Sequence, residues 1–213
     1  MKVDKDSLLL YAVTDRAWLG DATLEEQVEE AIQGGVTFLQ LREKDLPCGE
    51  FVKLAGEIKK IAGRAGIPFV INDALEVALA CDADGVHVGQ GDMPASEVRR
   101  RMGEDKILGV SVQTVEQAVL AEREGADYLG VGAVFTTSTK LDADAVSFES
   151  LKAICEAVSI PVVAIGGISR ENVLELSGSG ISGIAVVSAI FAQKDIKAAA
   201  EELADLAGRM VKA

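Results

Sequence analysis

Tyr128-Leu129-Gly130-Val131-Gly132-Ala133-Val134 runs without a break into Phe135-Thr136-Thr137-Ser138-Thr139-Lys140. The first seven residues make an apolar run of strand length with no polar face to turn toward water. Such a run is expected of a parallel strand covered on both sides. Four small hydroxyl side chains and a lysine follow it, with no helix signal between. Hydroxyls and exposed backbone N–H groups suit phosphoryl oxygens, and lysine adds a point charge. A covered strand that delivers anion-binding chemistry at its C-terminal end is the unit from which the rest of the chain is read.

The unit recurs in both directions. Strands are predicted at Leu8–Thr14, Phe38–Arg42, Pro68–Asn72, Gly85–Gly89, Ile107–Ser111, Tyr128–Val134, Pro161–Gly166 and Gly183–Val187. Between them lie segments of helical period: Leu24–Gln33 behind a Thr23 cap, Phe51–Ala62, Val115–Glu124 behind Thr114, and Ile196–Met210. Gly34-Gly35, Gly66 and Gly125 stand where helices should end. Eight βα units in one short chain predict an α/β fold, a (β/α)8 TIM barrel forming a single domain over residues 1–213. A doubly wound open sheet is the alternative, but no G-x-G-x-x-G follows the first strand.

Composition narrows the function. The chain has 213 residues, 49% of them hydrophobic, enough for a substantial core. A net charge of −13 argues against a nucleic-acid footprint and makes local cationic clusters informative. No apolar run approaches the roughly 20 residues of a membrane helix, so a soluble cytoplasmic protein is expected. Cys48, Cys81 and Cys155 lack metal-type spacing and read as reduced thiols.

In a barrel of this type chemistry gathers at the C-terminal ends of the strands. Gln40, Arg42 and Lys44 alternate along one face of the second strand and its extension. They are either a polar set at the barrel mouth or solvated loop charges paired with Glu43 and Asp45. Asp73 and Asp92 end adjacent strands, about 4.8 Å apart in a parallel sheet. As a pair beside cations they suit Mg2+, which takes few protein oxygens and completes its shell with substrate. Taken singly, each could cap the helix that follows it. His87, the only histidine, reads as a satisfied core residue. Ile165-Gly166-Gly167-Ile168, running into a helix start, and Val187-Ser188 at the end of strand eight match the phosphate cup of such barrels.

These stretches resemble the thiamine-phosphate synthase family in order and over nearly the whole chain. The resemblance rests on Tyr11-Ala12-Val13-Thr14-Asp15, Gln40-Leu41-Arg42-Glu43-Lys44, Ile71-Asn72-Asp73, Gly85-Val86-His87-Val88-Gly89-Gln90 with Asp92, Gly109-Val110-Ser111, Thr137-Ser138-Thr139-Lys140, Ile165-Gly166-Gly167-Ile168 and Val187-Ser188-Ala189-Ile190. The family often has Pro-Thr where Thr136-Thr137 stands, a change that removes a rigid φ but no ligand. The resemblance implies coupling of 4-amino-5-hydroxymethyl-2-methylpyrimidine diphosphate to 4-methyl-5-(2-phosphoethyl)thiazole, with release of pyrophosphate. It also implies a diphosphate site of Gln40, Leu41, Arg42, Glu43, Lys44 and Asn72, completed by Ser111 and Lys140. Asp73 and Asp92 would ligate Mg2+. Thr137, Ser138, Thr139, Gly167, Val187 and Ser188 would bind the thiazole phosphate. Arg42, Lys44, Ser111 and Lys140 are the expected catalytic residues.

The partners implied are two small phosphorylated heterocycles, with no nucleic acid and no membrane, and a homo-oligomer stays open. Rival readings are a thiazole tautomerase and a non-catalytic thiazole-phosphate-binding regulator. Neither needs the diphosphate and metal set.

Overall fold

The computed structural model describes residues 3–135 and 146–213. Eight parallel strands close into a barrel in sequence order, with β1 pairing both β2 and β8. They are β1 Leu10–Val13, β2 Phe38–Leu41, β3 Phe69–Asn72, β4 Gly85–Val88, β5 Ile107–Val112, β6 Tyr128–Val131, β7 Val162–Ile165 and β8 Gly183–Val186. Around them lie α1 Leu24–Gln33, α2 Cys48–Ala65, α3 Leu75–Ala80, α4 Ala95–Met102, α5 Val115–Arg123, α6 Phe148–Ala157, the short α7 Ser188–Phe191, and α8 Ile196–Met210.

The period of two along each strand sorts the core into two layers. Leu10, Ala12, Leu39, Leu41 and Ile71 face the helices and pack with Val28, Ala31, Phe51, Ala55 and Ile58. Tyr11, Val13, Phe38, Val70, Tyr128, Val163 and Ala185 fill the inside of the barrel. Every strand is buried on both faces, which is why the sequence reads as unbroken apolar runs rather than alternation.

Local signals place the helices. Thr23 and Glu26 form a reciprocal capping box at the start of α1, and Gly66 ends α2 in the left-handed region with φ 71°. At the end of the barrel away from the strand C-termini, the buried Arg99 of α4 donates to Asp127 Oδ2 at 2.6 Å and to the carbonyls of Gly125, Gly103 and Lys106. Asp127 in turn accepts from the Leu108 N–H at 2.9 Å, so one satisfied ion pair ties α4 to the starts of β5 and β6.

Two expectations are corrected. β6 stops at Val131 rather than Val134. A side chain at Gly132 would overlap the Ile165 carbonyl, and the chain beyond leaves the ladder, returning to β7 through Val134 N–H to Ile165 O at 3.0 Å. The double glycine after β7 does not start an α-helix. Its unit carries only a 3-10 turn, Val173–Leu176. The Asn172 side chain bonds the Ser169 N–H and the Gly167 carbonyl, and Gly178 and Gly180, both at positive φ, break the segment before a longer helix can form.

Candidate active site

The floor of the site is aromatic. Tyr11, Phe38 and Tyr128, all fully buried, meet inside the barrel with ring centroids 4.5 to 5.9 Å apart. Space for these rings comes from glycine at facing positions. A side chain at Gly109 would run into the Tyr128 ring and His87 Nδ1, and one at Gly130 would stand 3.2 Å from His87 Cε1. Burial raises the Tyr11 and Tyr128 hydroxyls well above the ordinary phenol range, so both stay protonated.

Those hydroxyls sit in a continuous chain. Gln40 Nε2 donates to Tyr11 Oη at 2.5 Å, and Tyr11 Oη lies 2.8 Å from Tyr128 Oη. Tyr128 Oη lies 2.9 Å from His87 Nδ1, and His87 Nε2 lies 2.8 Å from Ser111 Oγ. Both ring nitrogens of His87 are bonded, as the reading of a satisfied core histidine requires. The same geometry makes it a link between the floor and Ser111. Sequence reasoning found Gln40 and Ser111 but not the tyrosines. The available signal was position: Tyr11 and Tyr128 fall on the inward phase of strands whose other inward residues are small or apolar.

Above the floor a cavity of about 450 Å3 opens at the C-terminal ends of the strands, a volume in the range of small-ligand sites. Gln40, Arg42 and Lys44 all line it. β2 ends at Leu41, yet the alternation carries on for three residues beyond. Leu41 itself faces the helix layer, so its side chain lies away from the cavity. Glu43 is held by Arg16, whose Nε reaches both carboxylate oxygens at 2.8 and 2.9 Å. Arg42 pairs with Asp15 at 3.4 Å, a long contact that leaves the guanidinium fork with further donors. Arg42 and Glu43 are therefore held by Asp15 and Arg16 of the β1 loop, and among the described residues neither pairs with Asp45.

Asp73 and Asp92 converge on the same cavity, and their carboxyls lie within hydrogen-bonding reach of each other. Neither caps a helix: α3 begins after Ala74 and α4 after Pro94, both without a side-chain cap. Asp73 sits in the left-handed region with φ 61°, a conformation that aspartate tolerates better than most residues. Asn72 Nδ2 donates to it at 2.6 Å. Although Asp73 is exposed at the rim, partial desolvation in the mouth, then its bond to Asp92 and that neighbour's charge, push its carboxyl up to about 6. Asp92 Oδ2 also accepts from the Gly89 N–H at 2.7 Å. Two acids pressed together this way fit a divalent cation, which would replace mutual repulsion with shared attraction.

Gly167, Val187 and Ser188 line the opposite wall. Gly166 and Gly167 both take positive φ, 100° and 67°, and a side chain at Gly166 would press on Ala133. Thr137, Ser138, Thr139 and Lys140 lie outside the described residues.

Barrel and rim together define a (β/α)8 protein whose ligand cavity opens where barrel enzymes carry their active sites. Residues 10–190 match the family model described as "Thiamine monophosphate synthase". The "Thiamine-phosphate synthase" of Ruminiclostridium cellulolyticum is 55% identical over 92% of this chain and 94% of its own length. That of Clostridium tetani is 53% identical over 91% of this chain and 93% of its own. Among solved structures, "Thiamine phosphate pyrophosphorylase from Pyrococcus furiosus" superposes with a TM-score of 0.90 at 39% identity, covering 97% of this chain and 98% of that one. The chain belongs to the thiamine monophosphate synthase family.

Proposed function

We infer that this chain is a thiamine-phosphate synthase. It joins 4-amino-5-hydroxymethyl-2-methylpyrimidine diphosphate to 4-methyl-5-(2-phosphoethyl)thiazole and releases pyrophosphate. The observation that carries the reading is the meeting of Arg42, Lys44, Asp73 and Asp92 at one cavity, inside the stretch that matches the family. A sugar-phosphate barrel that works by enolisation has no need of two carboxylates facing one another beside Arg42 and Lys44.

The chemistry asks for charge stabilisation more than proton transfer. Breaking the C–O bond leaves positive charge on the pyrimidine methylene, delocalised by the amino-pyrimidine ring, and negative charge on pyrophosphate. Arg42 and Lys44, which line the cavity, would stabilise that negative charge, and Lys140 is assigned the same task. Asp73 and Asp92 would hold Mg2+, which when bound neutralises diphosphate charge. Gln40 and Ser111, at the ends of the buried chain, orient the pyrimidine over the aromatic floor. Gly167, Val187 and Ser188, with Thr137, Ser138 and Thr139, would hold the thiazole phosphate so that its ring nitrogen faces the methylene.

One incubation tests the reading: both purified substrates with this protein, with and without Mg2+, and thiamine phosphate read as thiochrome fluorescence after oxidation. Mg2+-dependent product is expected. Absence of product alongside retained binding of the thiazole phosphate would overturn the synthase reading in favour of a tautomerase or a regulator.

A further inference from the structure

The hydrogen-bond chain beneath the cavity has a direction, and we propose that this direction makes Tyr11, Tyr128 and His87 positioning residues that turn the Ser111 hydroxyl proton toward the ligand. An amide nitrogen only donates, so Tyr11 Oη accepts from Gln40 Nε2 at 2.5 Å. A phenol has a single proton, and that of Tyr11 then goes to Tyr128 Oη at 2.8 Å. Tyr128, having accepted, donates to His87 Nδ1 at 2.9 Å. Nδ1 is thus the acceptor and the ring proton sits on Nε2, which donates to Ser111 Oγ at 2.8 Å. Ser111 is left with its own proton to give, and it lines the cavity.

The chain is buried, Tyr11 at 1% exposure, Tyr128 at 0% and His87 at 8%, so water does not scramble the order. Reversal would need every link to turn together. The Gln40 carbonyl would accept, the proton would move to His87 Nδ1, and the Ser111 hydroxyl would point down into Nε2. The mouth would lose a donor. In the direction proposed, the two ends of the chain offer the ligand complementary groups: the Gln40 amide oxygen, which takes no part in the relay, and the Ser111 O–H. An edge that carries an amino donor beside an acceptor is read by that pair, which is the pattern of an aminopyrimidine. This last step rests on the synthase reading; the direction of the relay does not.

The tautomer of His87 reports the direction, and the chain has only one histidine. The full-length protein labelled with 15N-histidine should show, at neutral pH, a protonated Nε2 and an acceptor-type Nδ1. A protonated Nδ1 would overturn the proposal. Tyr128→Phe removes the donor to Nδ1 and should abolish the single tautomer. It should also lower kcat about tenfold, the value of one net hydrogen bond, while KM for the thiazole phosphate stays within about twofold. His87→Gln places an amide nitrogen where Nε2 stands and should keep kcat within about threefold, whereas His87→Leu should lose about tenfold or more. Equal losses in the Gln and Leu variants, both folded, would overturn the positioning role. Should His87→Leu fail to fold, Tyr128→Phe, which removes one oxygen, decides alone: unchanged tautomer and kcat overturn the proposal. If the unmodified protein makes no thiamine phosphate, the synthase reading falls, while the tautomer still decides the relay.

Discussion

Replacing Gly109 by alanine adds one methyl group at the most crowded point of the barrel. The new carbon would overlap the Tyr128 ring and crowd His87 Nδ1. Tyr128 has no room to retreat, being fully buried with Phe38 at 5.5 Å and Tyr11 at 5.9 Å between centroids. Overpacking of this kind costs about 1–3 kcal/mol. Pushing the tyrosine away from His87 breaks the Tyr128 to His87 link and loosens the next one, about 1 kcal/mol each. Alanine returns about 0.5–1 kcal/mol through a stiffer unfolded-state backbone. The balance is a loss of about 2–4 kcal/mol, which for a chain of this length lowers Tm by roughly 5–15 °C. Thermal unfolding followed by circular dichroism measures it, with Gly63→Ala as the control. Gly63 sits inside α2 with nothing within 4 Å of the added carbon, and its alanine variant should gain stability. A Gly109→Ala protein whose Tm stays within about 2 °C of the parent would refute the packing argument for the floor.

Other perturbations test other parts of the molecule. Arg42→Ala should raise KM for the pyrimidine diphosphate by at least about tenfold, the worth of a hydrogen bond to a charged group, and leave KM for the thiazole phosphate nearly unchanged; equal effects on both would remove Arg42 from the diphosphate site. Asp73→Asn should make the Tm at pH 7.5 insensitive to Mg2+ while the parent's Tm rises with it. The Asp73 carboxyl lies above its ordinary value, at about 6, so its contribution favours the fold at low pH and is lost as pH rises through that point. Without metal the Asn variant should therefore gain on the parent between pH 5 and pH 7. Asp82, exposed, is held down to about 2 by Lys106 and Lys59, and its contribution is present above the ordinary aspartate range and lost as pH falls through about 2. Asp82→Asn, which tolerates the φ of 54° there, should lower Tm at pH 7, and the gap from the parent should close under strong acid. Arg99→Met strands the Asp127 carboxylate and three carbonyls, and should cost about 3–5 kcal/mol in a urea titration, with no change in KM.

The barrel was legible because parallel strands buried on both faces leave unbroken apolar runs, and eight such runs leave few alternatives. α1 falls on Leu24–Gln33 as read, since Thr23, Glu26 and Gly34 mark its ends with local chemistry. α3 and α4 were weaker signals, being short and uncapped by side chains. The polar rim was legible because a strand that alternates inward and outward keeps its phase past its end, which is how Gln40, Arg42 and Lys44 reach one cavity. The same phase turns Leu41 away from it. The tyrosines could not be found from composition, since a buried Tyr looks like any core aromatic until its hydroxyl partner is known. His87 was read as core, and it is; its tie to Ser111 depends on the register of β4 against β5, His87 opposite Gly109, which the sequence leaves unspecified.

The aromatic plug at Tyr11, Phe38 and Tyr128 gives this barrel a sealed bottom, and a vessel with one opening fills and empties in sequence. On the proposed function, the reactant that rests on the plug would arrive before its partner, since the later arrival would stand in the doorway. Traffic order would then follow from the packing of three uncharged rings, and a second reactant present in excess would block the entrance ahead of the first.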